Sequence, residues 1–173
     1  ATGYDCPALE KGWVIRETIP DERSSGAQGF WLNTRRDKFK DRRVREAISL
    51  MFNFEWSNET LFYGLYNRTD SFWENSDLQA EGPLEGEELA VLEPFRDQLP
   101  ETVFTEPAYS PPVSTNRATD RRLVRRAIAL LDEAGWEIGD DGKRRNAAGE
   151  VLRVEFLEDG PAFERIILPF IEN

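Results

Sequence analysis

The sequence holds no histidine and one cysteine, Cys6. Zinc sites of the common His/Cys kind and Ser-His or Cys-His nucleophile pairs therefore cannot be assembled from this chain, and no disulfide can close within it. Neither phosphate-cradling glycine pattern, GxxxxGK[ST] or GxGxxG, occurs. Apolar runs never approach membrane-spanning length, so no direct membrane insertion is expected. Positive charge is scarce as well: 22 basic residues against 33 acidic ones leave a net charge of −11. That balance disfavours nucleic acid and anionic membrane as partners, since both require a basic face. The runs Arg121-Arg122, Arg125-Arg126 and Lys143-Arg144-Arg145 lie among acids and read as solvated surface. Ala1 opens on neither methionine nor a basic-then-apolar leader, so a signal peptide is expected to lie outside this piece.

What is present suits one folded domain. The 173 residues are 39% hydrophobic and 12% aromatic, enough for a core. A charged fraction of 32% and a mean hydropathy of −0.60 give it a wet exterior.

The chain is organised around Phe39 to Trp73. Asp41 can cap a helix, and Val44, Ala47, Ile48 and Met51 then fall on one stripe that Leu50 and Phe54 widen. Arg42, Arg43 and Arg45 crowd its first turn, where the helix dipole favours negative charge, so Asp37, Asp41 and Glu46 are expected to answer them. A second helix is expected from Ser57 or Asn58 to near Gly64. Around it lie Phe54, Trp56, Phe62, Tyr63, Tyr66, Phe72 and Trp73, interleaved with Asn58, Asn67, Arg68, Thr69, Asp70, Ser71 and Asn75. Such a mixture builds either the wall of a polar ligand's cleft or an aromatic core under a loop.

Elsewhere, Trp13–Thr18 reads as a short strand, Asp21–Gly29 as a loop and Gly29–Asn33 as a buried strand. A helix follows Glu87-Glu88, with Pro94 kinking or ending it. Residues Pro100–Asn116 read as an extended connection with Phe104 and Tyr109 packed on the surface. Thr119 or Asp120 caps the clearest helix, carrying Val124, Ala127, Ile128, Leu131 and Ala134 on one stripe, with Gly135 as its stop and Trp136 as the latch. Ile138–Leu157 reads as a hairpin turning at Asp141-Gly142 and Asn146–Gly149. Gly160-Pro161 opens a last helix with Phe163, Ile166, Ile167 and Phe170 on its apolar side, bent or broken at Pro169.

The ordered motifs carry a resemblance. Asn33-Thr34-Arg35-Arg36, FKDRRVREAI from Phe39 to Ile48, Phe52 to Asn58, Leu61 to Gly64 and Arg68 to Phe72 resemble the large oligopeptide-binding proteins of bacterial ABC importers. The narrower likeness is to the branch associated with uptake of peptides and of the peptide antibiotic microcin C. It continues through Glu88-Leu89, Leu92-Glu93-Pro94 and Leu130 to Trp136, as far as Phe163-Glu164-Arg165.

The resemblance implies an α/β chain that is part of the C-terminal lobe of a type II periplasmic binding protein fold. Members are several times longer and two-lobed, so this would be a piece: residues 1–28 a lead-in strand and loop near the hinge, 29–173 a partial second lobe. It implies a non-enzymatic, periplasmic peptide carrier, monomeric at full length, with an oligopeptide ligand, a membrane permease as partner and no cofactor or metal. Asn33, Tyr66, Arg68, Thr69, Ser71 and Trp73 would border the ligand, Arg68 being available to a peptide carboxylate. Two rivals stand beside it: a carboxylate-pair hydrolase using Glu155 with Glu158 or Asp159, and an interaction module using the exposed apolar side of the last helix.

Overall fold

The computed structural model describes residues 6–21 and 23–173. Ala1–Asp5 and Glu22, within the stretch read as lead-in, lie outside the described residues. In chain order the helices are α1 (Pro7–Glu10), α2 (Arg42–Leu50), α3 (Phe54–Phe62), α4 (Gly86–Leu92), α5 (Thr102–Thr105), α6 (Arg121–Glu133) and α7 (Glu164–Glu172). Tight 3-10 turns occupy Asp37–Phe39, Glu93–Gln98 and Pro161–Phe163. Strands β1 (Glu137–Ile138) and β2 (Arg144–Arg145) pair antiparallel, Glu137 opposite Arg145 and Ile138 opposite Arg144. Helices and this small sheet agree with the α/β expectation, helices dominating.

The chain divides into two compact units, one of residues 1–27 with 71–108 and one of 28–70 with 109–173. Charge divides with them. The first unit carries fifteen acidic against four basic residues and the second eighteen of each, so the whole net charge belongs to the first.

In the second unit α2 packs on α6. Asp41 caps α2 by accepting from the backbone N–H of Arg43 at 2.8 Å, and it also pairs with that residue's guanidinium at 2.6 Å. Of the first-turn arginines Arg43 is thus answered by an acid, while Asp37 pairs with Lys40 at 2.6 Å instead. Arg45 donates to the carbonyls of Phe39 and Lys40 at 2.8 and 2.7 Å, and Glu46 meets Arg126 of α6 at 3.7 Å. Ala47, Leu50, Leu123, Ala127 and Leu130 form the buried seam, flanked by Met51 and Leu131. A second cluster joins Phe39, Val44 and Trp136. The stripe on α6 lies one residue round from the one read in the sequence: Leu123 and Leu130 are buried while Ile128 faces out. A third aromatic nest brings Phe30, Phe52, Phe156 and Phe170 together, with ring centroids 5.3 to 6.0 Å apart.

Several expected elements take another form. Trp13–Thr18 and Gly29–Asn33 are not strands. Among the described residues no neighbouring edge pairs with them, and strand formers without a ladder stay irregular. Helix α3 begins at Phe54 rather than Ser57, because Asn53 caps it. The hairpin turns at Asp141-Gly142 as expected, but its second side is paired, among the described residues, through the single bridge of Val151 to Arg145. Its alternation is real all the same: Leu152, Val154 and Phe156 are half-buried while Arg153 and Glu155 are exposed. Within Pro100–Asn116, Thr102–Thr105 is helical and Tyr109 is exposed rather than packed. Pro94 marks the change from α4 to a 3-10 turn, and α7 runs on through Pro169.

In α6 the N-cap is Asp120. Burial pushes its carboxyl up, but the N–H groups of Thr115, Leu123 and Arg122 outweigh that and hold it below the usual carboxylate range. A carboxyl lowered in the folded state stabilises fully above its unfolded value and progressively less as pH falls through the folded one. Acidification from about pH 5 downward is therefore expected to lower the urea midpoint, and Asp120→Asn to make that acid decline shallower. An unchanged slope in the variant counts against the assignment.

Candidate functional site

The end of α3 and the loop behind it hold most of the residues singled out in the sequence. Asn53 starts the helix: its Oδ1 accepts from the N–H of Trp56 at 3.1 Å, and its Nδ2 donates to the carbonyl of Arg117. The Ser114 hydroxyl lies 2.5 Å from the same Oδ1 and also reaches the Glu55 carboxylate, which accepts from the Ser114 N–H at 2.9 Å. Asn53 and Ser114 are buried, so this polar node fastens the chain after Tyr109 to the start of α3.

Arg68 sits one layer out. Its guanidinium lies 5.5 Å from the Phe52 ring centroid and 5.8 Å from that of Phe54, and it donates to the Pro112 carbonyl at 3.1 Å. Burial pulls its pKa below the ordinary arginine value, an effect that the charge of Glu55 opposes. The sequence marked Arg68 for a ligand; the structure also gives it a seat in the wall.

At the far end of α3 the chain reverses through two left-handed residues, Tyr63 at φ 57° and Gly64 at φ 70°. Asn58 then takes both backbone groups of Tyr66, accepting from its N–H at 3.1 Å and donating to its carbonyl at 2.6 Å. Held this way, Tyr66 keeps 58% of its surface exposed, with its ring edge-on to Phe62 at 5.1 Å. The Arg165 guanidinium of α7 lies 5.3 Å from the Phe62 centroid.

Of the six expected site residues, Asn33, Tyr66, Arg68 and Thr69 fall in the second unit, and Ser71 and Trp73 in the first. Asn33 is exposed and shapes a turn, its side-chain oxygen accepting from the Arg35 N–H at 3.1 Å. Thr69 is half-buried. In the first unit the Ser71 hydroxyl accepts from the N–H of Trp73 at 3.0 Å, and Trp73 is 56% exposed. Each unit also has a shallow hollow. One of about 360 Å³ is lined by Asp21, Arg23, Ser24, Ser25 and Asn75. One of about 470 Å³ is lined by Thr115, Arg117, Thr119, Asp120, Arg121 and Arg122. Neither lining includes an expected site residue.

The carboxylates considered for hydrolysis are engaged separately. Glu155 pairs with Arg153 at 3.4 Å, and Glu158 accepts the N–H of Phe163 at 2.8 Å. On α7, Leu168 and Ile171 are exposed. Sequence reasoning placed Asn58 among the polar residues of the loop without its role as a clamp, and gave Ser114 and Arg165 no role at the site. Asn53, not read as a cap either, had a local signal, an Asn three residues before the N–H it caps.

Residues 9–172 match the model of the bacterial extracellular solute-binding proteins, family 5, middle. The chain belongs to this family. Among family 5 relatives, it is 41% identical over 99% of its length to the probable peptide-binding protein YejA of Agrobacterium fabrum, of which it covers 28%. It is 36% identical over 98% of its length to YejA of Escherichia coli K12, again covering 28%. To the peptidoglycan-binding protein YepA of Agrobacterium fabrum it is 34% identical over 96%, covering 27%. The chain thus spans under a third of the length of these family 5 relatives. No helix among the described residues is long and apolar enough to cross a membrane.

Proposed function

We propose that this chain is part of the extracytoplasmic peptide-binding component of an ABC importer, in the peptide and microcin C uptake branch. It captures oligopeptides without chemical turnover and delivers them to the membrane permease. The observation that carries this reading is the continuous family 5 match over residues 9–172, joined to a relative at 41% identity whose name is that of a peptide-binding protein. In this reading residues 1–28 lead in from the hinge and 29–173 begin the second lobe of a monomeric, periplasmic protein. Asn33, Tyr66, Arg68, Thr69, Ser71 and Trp73 face the ligand. Exposed rings supply contact area at low entropic cost, and the hydroxyl, amide and guanidinium groups pair with peptide groups. The likeness to a peptidoglycan-binding protein favours a second ligand class, fragments of the cell wall.

Native mass spectrometry of the full-length protein, purified and then denatured, tests the reading. A spread of released peptide masses is the expected result, and masses carrying amino sugars favour the second class. A clean apo mass, unchanged on adding peptide mixtures, would overturn it. Half a cleft buries little of a ligand, so the 173-residue chain alone is expected to bind peptide more weakly than micromolar in calorimetry. Micromolar or tighter binding there contradicts the two-lobed arrangement.

A further inference from the structure

We propose that Asp159-Gly160 is a site of spontaneous covalent modification, where the aspartyl link rearranges to isoaspartyl, and that Asp141-Gly142 is held back from the same reaction by its own hydrogen bonds. These are the chain's two Asp-Gly pairs, and no Asn-Gly pair accompanies them. The chemistry goes beyond peptide capture and belongs to the chain whether or not it binds a ligand.

The reaction needs no partner but water. The backbone nitrogen of the glycine bonds to Cγ of the protonated aspartic acid, and the amide proton and the carboxyl OH leave together as water, closing a five-membered succinimide. Water then opens the ring. Breaking the bond from nitrogen to Cγ restores aspartate. Breaking the bond from nitrogen to the former backbone carbonyl carbon leaves the chain running through the side chain, one carbon longer. The water lost in the first step is regained in the second, and nothing is oxidised or reduced. Glycine favours the attack because it adopts the turned backbone most readily and carries no side chain to shield its nitrogen. The fold sets what remains: whether the carboxyl and the glycine N–H are engaged elsewhere, and whether the backbone can bring them together.

On each count the two pairs differ. At Asp141 both carboxylate oxygens are taken: Arg145 donates to them at 2.6 and 2.9 Å, and the Lys143 N–H reaches one of them at 3.2 Å. The Arg145 guanidinium also holds this carboxyl far below the usual carboxylate range, away from the protonated form that reacts. The Gly142 N–H is spent as well, donating to the Gly139 carbonyl at 2.9 Å, and the turn is closed by the Gly139 N–H on the Lys143 carbonyl at 2.8 Å. Asp159 has none of this. It is exposed, and among the described residues neither its carboxylate nor the Gly160 N–H has a hydrogen-bond partner. Leu157, two residues earlier, is wholly exposed.

The position gives the change a consequence. Phe156, three residues before Asp159, meets Phe170 of α7 at 5.3 Å, and the Glu158 carboxylate accepts the Phe163 N–H at 2.8 Å. Asp159 and Gly160 are therefore the link between an extended stretch and a helix that bury side chains against each other, Ile166, Ile167 and Phe170 being the buried residues of α7. An extra backbone carbon in that link shifts the start of α7 relative to Phe156.

The test keeps the full-length protein for weeks at neutral pH and body temperature, digests it and locates isoaspartyl peptides by electron-transfer fragmentation. Isoaspartate at position 159 is expected to exceed that at 141 by about tenfold or more, since Asp141 must first give up at least one charge-assisted hydrogen bond. Gly160→Ala is expected to suppress the reaction at 159; φ −174° there suits any residue and an added Cβ meets nothing within 4 Å, so the variant folds. Arg145→Gln is expected to raise isoaspartate at 141. In urea, with the turn at 141 opened, the two sites are expected to react alike. Unmodified Asp159, or equal modification of both sites in the folded protein, overturns the assignment. Slow reaction at 141 that persists in urea also overturns it, since neighbouring sequence rather than the fold would then hold that site back.

Discussion

Replacing Leu130 with alanine is expected to cost the second unit about 2–5 kcal/mol, in the upper half of that range. Leu130 is 2% exposed and sits on the seam with Ala47, Leu50, Leu123 and Ala127. The penalty has a transfer part and a cavity part, and the second depends on how far the neighbours can close in. Here the spacing of the two helices is pinned by contacts outside the seam. Arg43 donates to the Glu133 carbonyl at 2.6 Å at one end of the helix pair, and Glu46 meets Arg126 at 3.7 Å further along. Two of the lining residues are alanines, which have no side-chain torsion with which to fill space. Ile128→Ala provides the contrast: it removes a comparable side chain from the exposed face of the same helix and is expected to cost under about 1 kcal/mol. Urea unfolding with hydrogen exchange at the α6 amides measures both. Equal losses in the two variants would mean that the seam between α2 and α6 is not where this unit's stability resides.

Asn53→Ala is expected to be nearly as damaging, at about 2–4 kcal/mol, for a different reason. The change removes the cap on the Trp56 N–H, the donor to the Arg117 carbonyl and one acceptor beside the Ser114 hydroxyl, all at a residue that is 5% exposed. An ordinary cap loss accounts for about 1 kcal/mol; the remainder comes from leaving buried polar groups unanswered. Asn53→Asp separates the two parts. It keeps an oxygen for the cap but supplies no donor to Arg117, and it places a second carboxylate near Glu55, so an intermediate loss is expected. If Asn53→Asp matches the original protein in its urea midpoint, the node contributes nothing beyond capping.

These two residues also show what was legible in the sequence. The stripes on α2 and α6 were readable to within a residue, because a helix that packs along one side repeats its apolar positions whatever it packs against. Asp41, Asp120 and the Gly135-Trp136 stop were readable for a similar reason: their partners lie within a few residues. The polar node was hidden, since Asn53 and Ser114 are sixty-one positions apart and nothing local ties them. The strands at Trp13–Thr18 and Gly29–Asn33 failed on the same ground from the other side. Their residues favour extended backbone, but a strand exists only with a partner edge. For the candidate site, the resemblance pointed to the loop after α3, while the Asn58 clamp and the Arg165 seat depend on chain reversals and packing that spacing does not encode.

The fastening of Arg68 to Pro112 and of Asn53 and Glu55 to Ser114 makes a stem from which residues 71–108 depart and to which they return. A segment closed by its own stem can change length cheaply, since doubling a flexible loop adds only about 0.6 kcal/mol of closure entropy. Acidic residues crowd this same segment, ten of them against Arg96 alone. Length and charge can therefore drift there between related chains while the α2–α6 seam stays as it is, and divergence among relatives should gather on the segment outside the stem.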